Sequence, residues 1–295
     1  MSQQPALRPE LAVGEAVRAV ARDILANARA AIEDPANSDA EAVHDFRREM
    51  KRWRALLRLV EPFLGTDAER LRIEARDLAR ALAGARDFQA ALDALADLEK
   101  HGLPFSKRSM ATLRERIAAL KHSQETTVLT DEMRMELSAA LDRAIAAVDP
   151  WPLHVLTFND IAMRLMRGYR AARRELPEDW ALADGEELHE LRKRIINHRY
   201  QMEIVQPLWP RFTKMWIGEA QRLRERLGQH QDLLMLQKLT APHQPLARWR
   251  ARLAPSLAQR QTRHVVAARR LAQRLFVEKP NSFRRRLEVM WETGG

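Results

Sequence analysis

The stretch His44-Asp45-Phe46-Arg47-Arg48-Glu49-Met50-Lys51-Arg52-Trp53-Arg54-Ala55-Leu56-Leu57-Arg58-Leu59-Val60 separates into two faces when wound as an α-helix. With Val43, residues Phe46, Met50, Trp53, Leu57 and Val60 follow the i, i+3, i+4, i+7 spacing of a buried stripe. His44, Arg47, Arg48, Lys51, Arg54 and Arg58 fall on the other side. Asp45 and Glu49 sit on the flank, so the middle of the basic face is expected to hold no carboxylate. A solvated helix face normally interleaves both signs; this one does not.

Working outward, the whole chain shares the bias. Among its 295 residues are 50 basic side chains, of which 42 are Arg and 8 Lys, and the formal charge is +10. The planar guanidinium matches phosphate or carboxylate oxygens in pairs and stays charged at any physiological pH. Such a balance points to a polyanionic partner: nucleic acid, an anionic membrane or a phosphate polymer. With no Cys, disulfides, thiolate metal sites and Cys nucleophiles are excluded. Met1 to Leu11 has no apolar signal core, and no run reaches the ~20 apolar residues of a membrane span. A cytoplasmic protein that does not enter a membrane is therefore expected.

Gly and Pro are scarce and β-branched runs are absent, so the class is all-α. A first helix is predicted over Leu11–Ile32, with Arg18, Arg22 and Arg29 on one face. The turn at residues 33–38 follows, where Ser38 or Asp39 is placed to cap the helix quoted above. That helix should end near Glu61-Pro62-Phe63-Leu64-Gly65. A third runs from Thr66 to about Lys100, carries Arg72, Arg76 and Arg80, and breaks around Gly84. A fourth helical region spans Pro104–Val148, broken near Thr126-Thr127, with Lys107, Arg114 and Lys121 seven residues apart. Asp149-Pro150-Trp151-Pro152 stops the helical pattern outright, because two prolines flank the Trp. Beyond it helices are predicted over Val155–Glu175, Glu187–Val205, Thr213–Leu239 and Leu246–Phe276. In the last of these, Arg248, Arg252, Arg263, Arg270 and Arg274 share about a third of the circumference.

The second half repeats the first. An offset of 145 residues pairs His44 with His189, Arg47 with Arg192, Arg48 with Lys193 and Arg54 with Arg199. It also pairs Val60 with Val205, Leu82 with Leu227, Asp87 with Asp232, Arg22 with Arg167 and Arg29 with Arg174. No gap is needed across three helices, whereas the fourth helices lose the register. The expected architecture is two similar four-helix bundles related by a pseudo-two-fold axis and sharing a basic surface. The first covers residues 8–148 and the second 153–276, with a C-terminal tail at 277–295, which is a short helix against the body. The second stripe is thinner, because Ile196 replaces Lys51 and Glu203 replaces Arg58.

Both copies present His-x-x-Arg-(Arg/Lys), whose members are neighbours one helical turn apart, about 5–6 Å. That spacing suits neighbouring phosphoryl groups of a chain, each of which releases counterions when neutralised. His44 and His189 would donate hydrogen bonds to phosphate oxygens and gain charge beside a polyanion. Catalytic arrangements are missing: no Gly-rich phosphate loop, nucleophile elbow or His-Glu-x-x-His helix is present. Asp87 and Asp232 fit a cap or an Arg partner better than chemistry. Two rival readings remain, a nucleic-acid-binding helical protein and a metal-dependent phosphohydrolase using His44 and His189. Against the first, aromatics are only 6%, which leaves few stacking platforms.

Val43-His44-Asp45-Phe46-Arg47-Arg48 with Lys51-Arg52-Trp53-Arg54 resembles the signature of the CHAD (conserved histidine α-helical) domain. Leu188-His189-Glu190-Leu191-Arg192-Lys193 resembles its second occurrence. Leu82-Ala83-Gly84-Ala85-Arg86-Asp87 and Leu227-Gly228-Gln229-His230-Gln231-Asp232 resemble the family's Leu-Gly-x-x-x-Asp element, with Ala83 where a Gly is usual. The resemblance spans residues 8–276. It implies two four-helix bundles, non-enzymatic binding of inorganic polyphosphate along a central basic surface, and association with polyphosphate granules. No cofactor and no metal are expected, since His44 and His189 are far apart in sequence and stand among cations; where the family is fused to a triphosphate tunnel metalloenzyme domain, catalysis belongs to that partner. The polyphosphate contacts expected here are His44, Arg47, Arg48, Lys51, Arg54, Arg58, His189, Arg192, Lys193 and Arg199. Arg18, Arg22, Arg29, Arg167, Arg174, Arg252, Arg263 and Arg270 extend them.

Overall fold

Side-chain capping sets several helix starts in the computed structural model, which describes residues 4–82, 86–124 and 129–294. These residues form α1 (Val13–Glu33), α2 (Asp39–Leu64), α3 (Thr66–Ala81), α4 (Arg86–Lys100), α5 (Lys107–Gln124) and α6 (Asp131–Val148). Then follow α7 (Phe158–Arg174), α8 (Gly185–Ile204), α9 (Pro210–Leu239), α10 (Arg250–Leu275) and α11 (Pro280–Thr293). No strand occurs among the described residues, and the fold is all-α. At α2, Ser38 accepts from the Glu41 N–H while the Glu41 carboxylate accepts from Ser38 N–H, a reciprocal capping box. Asp39 is left to accept from Arg134 at 2.8 Å, tying α2 to α6. Thr157 and Asp160 form the same box, which delays α7 to Phe158, three residues past the predicted start. Asp184 caps α8 and starts it two residues early. The predicted breaks at Gly84 and at Thr126-Thr127 lie outside the described residues.

Packing follows the repeat. In the first half α1 packs on α2, α2 on α3 and α6 on α1; in the second, α7 packs on α8, α8 on α9 and α11 on α7. The tail is thus a core element, with Phe283, Leu287 and Met290 buried. The main hydrophobic core draws on α1, α2, α3, α6, α7, α8, α11 and the adjoining ends of α9 and α10. A second core joins the halves: Phe88, Leu95 and Leu98 of α4 and Leu113 and Ile117 of α5 meet Leu233 and Leu236 of α9 and Leu253 and Leu257 of α10. Burial of this apolar surface, at roughly 25 cal/mol per Å², supplies the drive that single helices lack. The Pro-Trp-Pro linker is part of the body, because Trp151 stacks on buried Trp53 with centroids 5.6 Å apart. Gly14 is required there: a Cβ at that position would lie 2.1 Å from the Leu153 carbonyl oxygen.

The two signature helices, α2 and α8, cross antiparallel. Gln201 donates to the Ala55 carbonyl at 3.3 Å, Arg58 to Asn197 Oδ1 at 3.2 Å and Arg52 to Glu203 at 3.1 Å. At 1.5 Å per residue, His44 and His189 therefore lie roughly 17 Å from the crossing on opposite sides.

Candidate anion-binding site

On one side of the crossing, α2, α3, α7 and α8 enclose a cleft of about 450 Å³. Arg58 of α2, Arg72 of α3, Arg164 and Arg167 of α7, and Lys193 and Arg194 of α8 line it. Two carboxylates face them. Glu61 accepts from Arg164 at 3.0 Å and from Arg72 at 3.4 Å, and Glu190 is paired to Lys193. Gly168 and Gln201 also line it, with Ala171 and Asn197, and a Cβ on Gly168 would sit 2.7 Å from Gln201 Oε1. The glycine lets α7 approach α8 and bring its Arg residues in. Along the α2–α3 groove the cluster continues through Arg54 to Arg76 and Arg80, where Asp77 is the carboxylate partner.

The electrostatics are those of cations gathered without enough anions. Burial is the first cause that lowers Arg58, to about 10; Arg54 and Arg72 push the same way, Glu61 opposes and Arg194 adds to the lowering. Burial also leads for Arg54, followed by repulsion from Arg76, Arg72 and Arg80. Arg164 is lowered by burial against the opposing pull of Glu61. A multiply charged anion entering this cleft would relieve repulsion already stored there and meet several charge-assisted donors, each worth about 1.5–3 kcal/mol.

The other side of the crossing is closed. Glu49, 1% exposed, accepts from Arg52 at 2.6 Å and from Arg48 at 3.1 Å. Arg52 reaches Glu203, which also holds Arg199, and the Arg199 guanidinium lies 4.1 Å from the Tyr200 ring centroid. Burial raises Glu49, and Arg52 and Arg48 hold that rise in check. The expectation of a carboxylate-free basic face is corrected here. Arg48 pairs with Asp45 at 2.6 Å as well as with Glu49, because a carboxylate on the flank reaches an Arg three residues on.

The remaining expected residues take other places. Arg47 donates to the Leu82 carbonyl at 3.1 Å. Arg192 lies against Gly228, with its Nε 3.3 Å from where a Cβ would be, so each signature Arg meets the start of the Leu-Gly-x-x-x-Asp element. His44 and Lys51 are exposed, and His189 is half-buried. Arg18 is held by Glu15 and the Trp151 carbonyl, Arg22 by Asp149, and Arg29 by Asp142 and Glu33, so these three serve the α1–α6 contact and the linker. Arg174 is exposed at the end of α7 and Arg263 along α10. Arg252 stacks over Phe105 at 4.3 Å, and Arg270 lines a different cleft. Of the expected residues, Arg58, Arg167 and Lys193 come together in the α2–α8 cleft, with Arg54 beside them. Arg72, Arg164 and Arg194 complete it. The Arg72, Arg76, Arg80 stripe was visible at helical spacing; nothing local marks Arg164 or Arg194.

A sequence profile of the CHAD domain matches residues 15–241. In fold, the chain is similar to the crystal structure of the CHAD domain from the plant Ricinus communis. The TM-score is 0.53 at 21% identity, over 97% of this chain and 95% of that one. Among curated proteins, none matches the sequence. No described helix is long and apolar enough to cross a membrane. Two signature helices in the right order, each with its arginine set against the third helix of its half, agree with the span of the profile: the chain is a member of the CHAD domain family.

Proposed function

We propose that this chain binds inorganic polyphosphate without turning it over, and that the α2–α8 cleft is where the polymer is gripped. The observation that carries the reading is Arg58, desolvated and surrounded by Arg54, Arg72 and Arg194 with Glu61 as its nearby counter-charge. A flexible phosphate chain places a negative charge at every link, matching cations that arrive from four helices. The lining residues include no aromatic ring on which a nucleobase would stack, which favours a base-free polymer over a single strand. Binding of this kind would recruit the protein to polyphosphate granules, its expected place in the cell.

The test compares long-chain polyphosphate with single- and double-stranded DNA across a salt series, with phosphate release assayed in the same samples. Tight polyphosphate binding that weakens steeply with salt, without phosphate release, is expected. Equal or tighter DNA binding, or phosphate release lost in His44→Ala, would overturn the reading.

A further inference from the structure

A second cleft, of about 840 Å³, opens between α4, α9 and α10, and shares no residue with the first. One wall is already neutral: Arg260 donates to both carboxylate oxygens of Asp97 at 2.6 and 2.7 Å, and His264 Nε2 lies 2.9 Å from the same carboxylate. These side chains are nearly buried and fasten α4 of the first half to α10 of the second. Beside that wall stand Lys100, Arg226 and Arg270, none of them in an ion pair among the described residues, with the carboxylates of Asp93 and Glu225 also in the lining and Arg226 donating to Gln229 at 3.4 Å. At the far end Arg222 and Arg274 share a single carboxylate, Glu219, at 2.7 and 3.3 Å.

We propose that this cleft is a second anion site, which takes a compact oligophosphate group either free or as the end of a longer phosphate chain. The arrangement suits a compact, multiply charged ligand, because Lys100, Arg226 and Arg270 come one from each of the three helices that wall the cleft. Chemistry argues for phosphate: Arg226 and Arg270 offer planar forks to tetrahedral oxygens, and Lys100 adds a point charge. The lining holds no Phe, Tyr or Trp to receive a nucleobase, so a nucleotide would gain only through its phosphates. The bidentate Asp97–Arg260 pair fastens α4 to α10, so the backbone around the cleft needs little ordering on binding.

Calorimetric titration with tripolyphosphate tests the site in three forms of the full chain: the native protein, Lys100→Glu/Arg270→Glu, and Arg72→Glu/Arg194→Glu. Lys100 and Arg270 are both exposed, so their reversal should leave the thermal unfolding midpoint in place. Arg226→Gln, which removes the charge without reversing it, serves as a second variant. Affinity for tripolyphosphate should fall about tenfold or more in Lys100→Glu/Arg270→Glu and in Arg226→Gln, since one charge-assisted contact is worth about that much. In Arg72→Glu/Arg194→Glu, which disables the α2–α8 cleft, one tripolyphosphate-binding step of native affinity should remain. Equal losses in both double variants, or none in the first, would refute the site while leaving polymer binding at the α2–α8 cleft to be judged on its own. Competition by long chains separates the sources. Displacement by open-ended but not end-blocked polymer assigns the site to chain ends, and displacement by neither assigns it to free oligophosphate. Equal displacement by end-blocked polymer overturns the compact-ligand proposal.

Discussion

The two sides of the α2–α8 crossing occupy equivalent positions in the repeat, yet one is charge-balanced and the other carries excess positive charge. The 145-residue offset relates Arg58 to Glu203, Arg52 to Asn197 and Glu49 to Arg194. On one side Glu49, Arg52, Glu203 and Arg199 satisfy one another in a buried network. On the other, the same backbone positions hold Arg58, Asn197 and Arg194, and the charge is left over. Exchanging two residues between acid and base has turned one copy of a site into structure and left the other facing a cleft. The thinner basic stripe of the second half is therefore the sign of an internal ion network.

The largest effect that would break this comparison is on stability. Glu203→Ala removes the carboxylate that holds Arg199 and one of the two that hold Arg52, in a mostly buried setting, and should cost about 3 kcal/mol in urea unfolding. It should leave polyphosphate affinity nearly unchanged; a stable variant would mean that the closed side is not a network. Next comes Arg72→Glu/Arg194→Glu on the open side. Affinity for long-chain polyphosphate should fall roughly a hundredfold, about 3 kcal/mol, and the salt dependence should become shallower. Loss of binding accompanied by unfolding would instead place these residues with the structural ones.

A third contrast lies in the core, where Trp53 is replaced in the second half by His198. His198 Nε2 accepts from Trp216 Nε1 at 3.1 Å, and burial pushes the imidazole down to about 3. A depressed histidine stabilises the fold above its unfolded value of about 6.5, and that contribution drains away as pH falls toward the folded value. Its share of the loss should reach roughly 2 kcal/mol by pH 5. His198→Gln keeps an acceptor for Trp216 and should flatten the urea midpoint against pH; an unchanged slope would assign the acid sensitivity elsewhere. The smallest effect is Glu61→Gln. Removing the carboxylate that Arg72 and Arg164 share should tighten polyphosphate binding severalfold, with stability altered by less than about 1 kcal/mol.

Much of this was legible in the chain. The helices, the Pro-Trp-Pro break, the repeat and the family follow from periodicity, proline chemistry and four motifs in order. Arg58 and Lys193 were visible as members of one-sided stripes. Reading the stripes as uniform surfaces went too far, because helical spacing says which residues share a face but not what packs against it. Arg47 and Arg192 reach the third helix of their own half, and Arg199 reaches Glu203. Arg18, Arg22 and Arg29 are claimed by acids more than a hundred residues away or a turn along α1.

What the sequence determined by itself is the set of elements and their duplication, since both arise from local rules: cap, period and turn. What the tertiary structure alone decided is which charges cancel. Arg164 and Arg194 belong to one cleft, and Glu49 and Glu203 to one network, only because α2 and α8 cross antiparallel near Ala55 and Gln201. Coulomb interactions depend on distance in space and on burial, and neither is written in the spacing of residues along the chain.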